Sequence, residues 1–475
     1  MTTDQGMLQN GQTAVAEKAL GELRAQLRGT AGDPSGVTEG REPFNAMHSG
    51  RPALTVACSG TADVIDAVRF AREHGMAVAV RGGGHSIAGL STIDGGMLID
   101  LAPMRGVQVD PDARLARVEG GALWGDVDRE TQAFGLVAPG GVVSDTGVAG
   151  LTLGGGYGWV RRRYGLSCDA MVEAQVVCAD GEVRQASADS NPDLFWGLRG
   201  GGGNFGIVTS FTFRLAPLGP IVAFAGTFYP VEEAQEVMRG WRAFTENAPD
   251  EITSVCVTIT FPADPAMPEA VHDRPCVIVG AVYAGDPDEG TAVLQPLREL
   301  GTPLADLSQP MPFTAVQTAF DPLFPRNELR AYWKSLYLDE LSDEAIDTIA
   351  RRAQERPEPL TLVNTFHMGG AINAVDAEDT AFSERSARYM VSIDGLWSDP
   401  EVDANRVAWV RSTWEDIGRF GTGAVYLNFM GLSDEPASAG VDTAFGRNLR
   451  RLAEIKATYD PDNFFRHNNN IAPAT

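Results

Sequence analysis

The stretch "MAVAVRGGGHSIAG", residues 76–89, joins a run of apolar residues to three glycines and a histidine. A short apolar run of this kind after a helix-like segment is typical of a buried strand. Glycines are used where the backbone must approach another group closely, and a histidine beside them adds a side chain that does chemistry near neutral pH. The stretch therefore predicts a ligand site directly after a strand.

The residues before this motif complete a βαβ unit over residues 51–80. "PALTVAC" (52–58) is rich in strand-forming residues, and "TADVIDAVRFAREHG" (61–75) carries apolar residues at helical spacing and ends at Gly75. The unit places Gly82 and its neighbours at the carboxyl end of a strand, where α/β sheets bind ligands.

Composition excludes several function classes. The chain has 475 residues, enough for two or three domains, and a formal net charge of −25, which argues against nucleic acid or an anionic membrane as a partner. Its five cysteines lack ligand-like spacing, so neither a disulfide framework nor a structural zinc site is expected. The N-terminus has no secretory pattern and no apolar run is long enough to span a membrane, so we expect a cytoplasmic protein.

Three glycine clusters, at residues 82–84, 154–158 and 200–206, compete for a phosphate-binding role. The last fits the Rossmann pattern G-x-G-x-x-G, but a helix-like segment precedes it and a strand follows, which is the inverse of the required order. No P-loop pattern occurs. Runs of bare backbone N–H groups can hold a diphosphate without cationic side chains, so the clusters indicate a dinucleotide cofactor without identifying it.

The texture of the sequence changes after "APLGP" (216–220). Glycine clusters cease, and β-like runs alternate with helical stretches up to about residue 435, which predicts a second α+β domain built on an antiparallel sheet. "GAVYLNFMG" (423–431) is taken as one of these strands, whereas residues 139–158 look too irregular for a packed helix. The polar, turn-rich tail "YDPDNFFRHNNNIAP" (459–473) resembles a cap over a site.

Four ordered motifs together resemble the berberine bridge enzyme-like family of FAD-linked oxidases, which have the vanillyl-alcohol oxidase (PCMH-type) FAD-binding fold. The motifs are "VRGGGHSIAG" (80–89), "PGGVVSDTGVAGLTLGGGYGWVRRRYGLSCD" (139–169), "DLFWGLRGGGGNFGIVT" (193–209) and the tail. The resemblance implies an α+β fold with an FAD-binding domain at 1–217 (core from about 40), a substrate domain at 218–435 whose antiparallel sheet is covered by helices, and a segment at 436–475 that returns to the FAD domain.

By this resemblance, His85 matches the histidine that bonds to the 8α-methyl group of FAD, a role within the reach of a neutral imidazole. A metal site at His85 has little support, because no second ligand lies at useful spacing. Many relatives carry a second link through a cysteine, but Val143 occupies that position here. We therefore expect a single covalent bond, with Cys168 as a buried structural thiol rather than a second anchor.

The resemblance also implies a set of FAD contacts. These are Arg81, Gly82, Gly83, Gly84, His85, Ser86, Gly89, Gly140, Gly141, Val143, Thr146, Gly147, Gly150, Gly154, Gly155, Tyr157, Gly158, Cys168, Asn204, Gly206, Val208, Asn428, Asn468 and Asn470.

The family's general base maps to Tyr426 in "AVYLNF", with Asn428 expected on the same strand face. A phenol has a pKa of about 10, so a basic tyrosine needs a nearby positive charge or strong donors, and Lys334 and Tyr157 are the candidate helpers. Some relatives carry an acidic or amide group on another strand. Aligning "YMVSIDGLW" (389–397) places Ser392 there, which favours Tyr426 as the base.

Further candidates concern the substrate. His367 is a possible pocket residue, and the aromatic residues Trp241, Tyr332, Trp333 and Tyr337 hint at a ring-bearing substrate, although core packing explains them equally well. The leading hypothesis is a covalent-FAD oxidase acting on an alcohol, amine or related C–H of a small molecule, with O₂ as acceptor and H₂O₂ as product. A dehydrogenase with another acceptor, or a flavin-carrying protein without turnover, are the alternatives.

Overall fold

The computed structural model describes residues 17–33, 42–432 and 440–475. The N-terminal residues 1–16, the expected start of the core near residue 40 and the expected boundary at 435/436 lie outside the described residues. Within the described part of the chain, no helix combines the length and apolar character that a membrane span requires.

The βαβ unit is confirmed. Strand Leu54–Ala57, helix Thr61–Glu73 and strand Val78–Arg81 follow one another, and both strands pair in parallel with Met97–Asp100. Thr30–Gly32 completes this four-stranded sheet by pairing antiparallel with Leu54–Ala57. The glycine–histidine motif begins at Gly82, directly after the strand, as the sequence predicts.

An antiparallel sheet of five strands forms the rest of the first half. Its spatial order is Val107–Asp110, Leu115–Glu119, Ile207–Arg214, Met171–Val177 and Val183–Ser187. The helices around it are Trp124–Gln132, Val148–Leu153, Arg161–Tyr164, Ser167–Ala170 and Pro192–Leu198, and Leu136–Val137 pairs with Ala216–Pro217. The short helix at 148–153 corrects the expectation that residues 139–158 hold no helix.

The second half is built on a large antiparallel sheet, as predicted. The spatial order of its strands among the described residues is Ala305–Asp306, Ile221–Pro230, Pro275–Tyr283, Ile252–Thr260, Leu362–His367, Tyr389–Trp397 and Arg330–Leu338, with Gln309–Pro312 also beside Ile221–Pro230. The accompanying helices are Ala234–Thr245, Pro287–Leu294, Phe313–Thr318, Asp343–Gln354, Ala371–Ala374 and Asp403–Gly418. Single 3₁₀ turns lie at Val231–Glu233, Glu269–Val271, Gln295–Arg298, Asp321–Leu323 and Pro400–Val402.

The two faces of this sheet have different neighbours because successive side chains of a strand point to opposite sides. On strand 330–338, Trp333 and Tyr337 belong to the core shared with Tyr157 and Tyr426 of the interior. Tyr332 and Leu336 belong to the core formed with the covering helices. This alternation decides which strand residues can reach a ligand between the halves.

The C-terminal segment packs against the first half. After helices Val441–Phe445 and Leu449–Tyr459, separated by a 3₁₀ turn at Gly446–Asn448, the tail has neither helix nor strand. The Lys456 ammonium group, fully buried, donates to the backbone carbonyl of Asn204 at 2.7 Å and to the carboxylate of Asp460 at 2.6 Å. Asn204 in turn accepts from the backbone N–H of Ile471, so the tail is fastened to the glycine cluster at 200–206.

Candidate functional site

One cavity runs between the halves and brings the sequence motifs together. Its volume is about 330 Å³. At one end it is lined by Val78, Val80 and the glycine cluster after them, and at the other by Trp333, Asn364 and Asp394 of the large sheet. His467, Asn468 and Asn469 of the tail also line it, which agrees with the interpretation of the tail as a cap.

Bare backbone forms the middle of the cavity wall, and its shape suits a dinucleotide. A Cβ on Gly83 would lie 2.4 Å from the Cα of Gly147, so these two lining backbones pass each other too closely for any side chain. A Cβ on Gly154 would lie 2.2 Å from Oδ1 of Asn428. Gly202, Gly203 and Gly206 line the wall near the tail, where Oδ1 of Asn468 is buried and has no hydrogen-bond partner among the described residues. These features fit an extended cofactor held by backbone N–H groups.

Most of the expected FAD contacts line this cavity. They are Gly82, Gly83, Gly84, His85, Ser86, Gly141, Val143, Thr146, Gly147, Gly150, Gly154, Tyr157, Gly206, Val208, Asn428 and Asn468.

The remaining expected contacts are absent from the described lining and have other neighbours. The Arg81 guanidinium contacts the buried Asp100 carboxylate at 3.0 Å, and Asn204 holds the tail. Five others pack against protein groups: Gly89 lies against the His48 ring, Gly140 against Trp124, Gly155 against Phe382, Gly158 against the Gly140 carbonyl, and Cys168 beside Asp169. Asn470 also does not line the cavity. Arg81 and Asn204 therefore have structural partners around the site, and the expectation that they contact FAD stays a prediction.

His85 is fixed by an aromatic ring and a carboxylate. Its imidazole stacks on Phe44 with ring centroids 3.9 Å apart, and its Nε2 lies 3.3 Å from Oδ1 of Asp145. The two atoms lack the alignment of a full hydrogen bond, and both are buried without another partner among the described residues. Burial raises the pKa of Asp145, but His85 and Arg326 outweigh this effect and hold the pKa below its usual range. The carboxylate is therefore ionised at neutral pH.

The two positions considered for a second covalent link differ in location. Val143 is buried and lines the same cavity as His85. Cys168 is fully buried behind Gly155, where its N–H donates to the carbonyl of that glycine at 2.9 Å. Burial raises the pKa of the Cys168 thiol well above its usual range. The apolar side chain at 143 and the protonated thiol at 168 both disfavour a second bond.

Tyr426 and Asn428 do meet, but not on a strand. Tyr426 lies in an extended segment and a 3₁₀ turn follows at Leu427–Phe429, which corrects the predicted strand. The Tyr426 hydroxyl accepts from Nδ2 of Asn428 at 2.7 Å and from the N–H of Gly156 at 3.1 Å. Burial nevertheless raises the pKa of Tyr426 above its usual range. The Tyr157 ring lies 4.7 Å from the Tyr426 ring, and burial raises its pKa too, so it supplies no charge to make Tyr426 basic.

Strand alternation separates the other two catalytic candidates and corrects the role expected of Lys334. Lys334 points to the helix-covered face of the sheet, where its ammonium group lies 4.5 Å from the ring centroid of Trp414. It therefore cannot assist Tyr426 on the opposite face. Ser392 lies on the interior face but is not among the described residues that line the cavity. Its hydroxyl donates to the carboxylate of Asp394.

Asp394 is a candidate site residue that the sequence motifs did not indicate. It lies two positions after Ser392 on the same strand face, is buried, and lines the cavity. Nδ2 of Asn364 on the neighbouring strand donates to its Oδ2 at 2.6 Å. Burial raises the pKa of Asp394 to about 7, although hydrogen bonds from Ser392 and Asn364 oppose the shift. A carboxyl group that titrates near neutrality in a cavity is suited to general-base chemistry.

The end of the cavity at the large sheet is lined by aromatic and aliphatic side chains. Trp333 and Tyr337 face the interior, whereas Trp241 and Tyr332 pack among the helices on the other face. His367 also lies on the helix face, where its ring centroid is 6.5 Å from that of Trp241 and burial lowers its pKa to about 2. The apolar lining at this end consists of Trp159, Val255, Val257, Phe320, Phe324, Trp333, Leu362, Phe366 and Phe429.

Comparisons with known proteins extend this description. The family model described as FAD binding domain matches residues 52–187, and the model described as berberine and berberine like matches residues 425–472. The FAD-linked oxidoreductase YgaK of Bacillus subtilis is 31% identical over 451 residues, which cover 94% of this chain and 96% of the relative. (R)-6-hydroxynicotine oxidase of Paenarthrobacter nicotinovorans is 28% identical over 460 residues, which cover 93% and 95% of the two chains.

A solved structure shares the whole architecture. The crystal structure of 6-hydroxy-D-nicotine oxidase from Arthrobacter nicotinovorans superposes with a TM-score of 0.82 at 26% identity, and the match covers 94% of this chain and 98% of that one. The likeness therefore extends over both halves and the tail.

Proposed function

Because the chain belongs to the berberine bridge enzyme-like family of FAD-linked oxidoreductases, we propose that it is an oxidase with FAD bound covalently through His85. Its substrate is a small, ring-bearing organic molecule with a C–H next to a hydroxyl or amino group. The observation that carries the proposal is a single cavity in which His85 and the glycine backbone adjoin Tyr426, Asn364 and Asp394.

When bound at this site, FAD would supply the hydride acceptor, and O₂ would reoxidise it with formation of H₂O₂. The chain's own residues bind the cofactor and prepare the substrate. The backbone N–H groups of Gly82–Gly84 and of Gly202, Gly203 and Gly206, which line the cavity, would hold the diphosphate. With Val143 at the second position, His85 would be the single anchor. The tail residue Asn468 lies beside this glycine wall, since its Nδ2 donates to the carbonyl of Gly203 at 3.0 Å.

Asp394 is the group that we assign to removal of the substrate proton. Its pKa of about 7 leaves a large fraction ionised near neutral pH, whereas the raised pKa of Tyr426 keeps that phenol protonated. Tyr426, held by Gly156 and Asn428, then orients the substrate through its hydroxyl. The aromatic wall excludes water, which strengthens the electrostatic interactions of the carboxylate.

A two-stage flavin experiment tests this function. The purified yellow protein is mixed without oxygen with aryl alcohols, cyclic amines and sugars, and the flavin absorbance is followed; air is then admitted and H₂O₂ is measured. We expect bleaching by a ring-bearing alcohol or amine and rapid return of the colour with peroxide formation. Bleaching followed by slow reoxidation would contradict the oxidase assignment, and the absence of a flavin would contradict the cofactor itself.

A further inference from the structure

The second ring nitrogen of His85 has a carboxylate neighbour that the covalent link alone does not require. Oδ1 of Asp145 lies 3.3 Å from Nε2, on the side of the imidazole away from Nδ1. The stack on Phe44 restrains the plane of the imidazole ring. Within that plane, a small rotation of the ring would align Nε2–H with Oδ1 and complete the hydrogen bond. Such a bond fixes the tautomer that carries hydrogen on Nε2 and leaves the Nδ1 lone pair for bonding.

Residues of the second half hold the loop that carries Asp145. Nη2 of Arg326 donates to Oδ2 of Asp145 at 3.1 Å and to its backbone carbonyl at 3.3 Å. The carboxylate of Asp321 accepts from the N–H of Ser144 at 2.9 Å and from the Ser144 hydroxyl. Arg326 also lies against Gly84, since a Cβ there would be 3.1 Å from its Nη1. The carboxylate is thus held beside His85 from across the cavity.

We propose that Asp145, held by Arg326, positions His85 for covalent attachment of FAD and accepts the proton that the imidazole loses. This inference rests on the covalent link of the proposed function. The role would account for Asp145 and Arg326, which form a partly exposed ion pair. Pairs of that kind contribute little to stability.

The step balances without a further reagent beyond O₂. A bond forms between Nδ1 and the 8α carbon, while one hydrogen of the 8α-methyl group and the hydrogen on Nε2 leave as protons. The two electrons of the broken C–H bond pass to the isoalloxazine ring and from there to O₂, which yields H₂O₂. Asp145 stabilises the positive charge that develops on the imidazole and takes the Nε2 proton.

The test compares covalent loading in full-length variants produced with ample riboflavin. The variants are Asp145→Asn, Asp145→Ala, Arg326→Gln and His85→Ala. The matched control is Asp403→Asn, which loses an ion pair of similar exposure with Arg330. Total flavin is read from absorbance before denaturation. Bound flavin is read from fluorescence of the denaturing-gel band and from intact mass, which rises by FAD less two hydrogens on attachment.

We expect wild type and Asp403→Asn to load completely, and His85→Ala not at all. Asp145→Asn should retain FAD non-covalently while the rate of attachment falls about 100-fold, the range for loss of a positioned proton acceptor. Arg326→Gln should fall between. Formate added to an Asp145→Ala variant should restore part of the attachment, because a small carboxylate fills the vacated position; a purely structural role would not respond.

Complete covalent attachment of FAD in Asp145→Asn would overturn the inference. So would an Asp145→Ala protein whose lost attachment formate does not restore. If Asp145→Asn does not fold, an Arg326→Gln protein that loads as fast as wild type would equally overturn it. A wild-type protein without covalent FAD contradicts the proposed function instead, so the two failures are distinguishable.

Discussion

A buried carboxylate costs free energy unless hydrogen-bond donors compensate for lost water, and Asp394 has two such donors in Ser392 and Asn364. The compensation is partial, because burial still raises the pKa of Asp394 to about 7. The residual cost is typical of a group kept for chemistry rather than for stability.

The pH dependence of flavin reduction follows from this pKa. Only the ionised carboxylate accepts a proton, so the rate should rise with pH through a midpoint near 7 and then level off. Asp394→Asn should lower the rate by about 10²–10⁴-fold, the usual contribution of a general base, and abolish the rise. Rapid-mixing measurements under anaerobic conditions check this.

Ser392→Ala is the companion variant. Because the Ser392 hydroxyl lowers the pKa of Asp394, its removal should move the midpoint to higher pH. Loss of activity in Tyr426→Phe with little effect of Asp394→Asn would restore Tyr426 as the base and contradict the assignment made here.

A cysteine at position 143 should add a second anchor. Val143 lines the same cavity as His85, and by the family resemblance it stands where many relatives carry the cysteine of a second link. We therefore expect Val143→Cys to carry a double link, and the combination of His85→Ala with Val143→Cys to keep covalent flavin through the cysteine. Cys168→Ala should load normally. Intact mass after denaturation checks all three, and flavin loss from the double variant would contradict the positional match.

The sequence predicts the place of a side chain that lies inside a motif. It does not predict the place of one whose environment comes from another strand. His85 follows a glycine cluster, so its place in the cavity could be predicted. Asp394 was missed because aligning strand 389–397 by its aromatic ends drew attention to Ser392. The signal that could have found it is a lone carboxylate within a largely apolar strand.

Elements decide which side chains share a space. On strand 330–338, Trp333 and Lys334 are adjacent in sequence yet face the cavity and the helices respectively. We expect Lys334→Met to leave the rate of flavin reduction per folded molecule unchanged while it lowers the melting temperature through lost contacts with Trp414. Stopped-flow kinetics and thermal melting check this; a large loss of rate in a stable protein would contradict the assigned strand face.

Prediction of elements worked best where local periodicity agrees with tertiary burial. The βαβ unit is an example, since its apolar spacing alone indicates helix 61–73 and strand 78–81. The segment around Tyr426 has the residue types of a strand but forms a 3₁₀ turn, because Tyr426 and Asn428 both direct polar groups to the same site. Tertiary contacts there override the local strand preference.

At the scale of the whole molecule, two halves and a returning tail enclose one cavity. The family resemblance and the PCMH-type architecture that it implied are confirmed by the family models and by the structural neighbours. Sequence periodicity alone could not predict this enclosure, because it depends on contacts between residues far apart in the chain, such as Lys456 with Asn204.

The tail's attachment should depend on the buried pair of Lys456 and Asp460. Lys456→Met leaves the Asp460 carboxylate buried with only backbone donors, so unfolding should become easier by about 3–5 kcal/mol, as for other broken buried pairs. Lys18→Met, which removes an exposed pair with Glu22, is the control and should melt like wild type. Equal melting temperatures for the two variants would contradict the role of Lys456.

Covalent attachment of FAD to His85 is checked by peptide mapping. Trypsin cleaves after Arg81 and Arg105, so His85 lies in a peptide of residues 82–105 that contains no other histidine and no cysteine. After acid precipitation and digestion, the account predicts that this peptide carries FAD and that other peptides do not. An unmodified peptide 82–105, with all the yellow flavin in the acid supernatant, would contradict it.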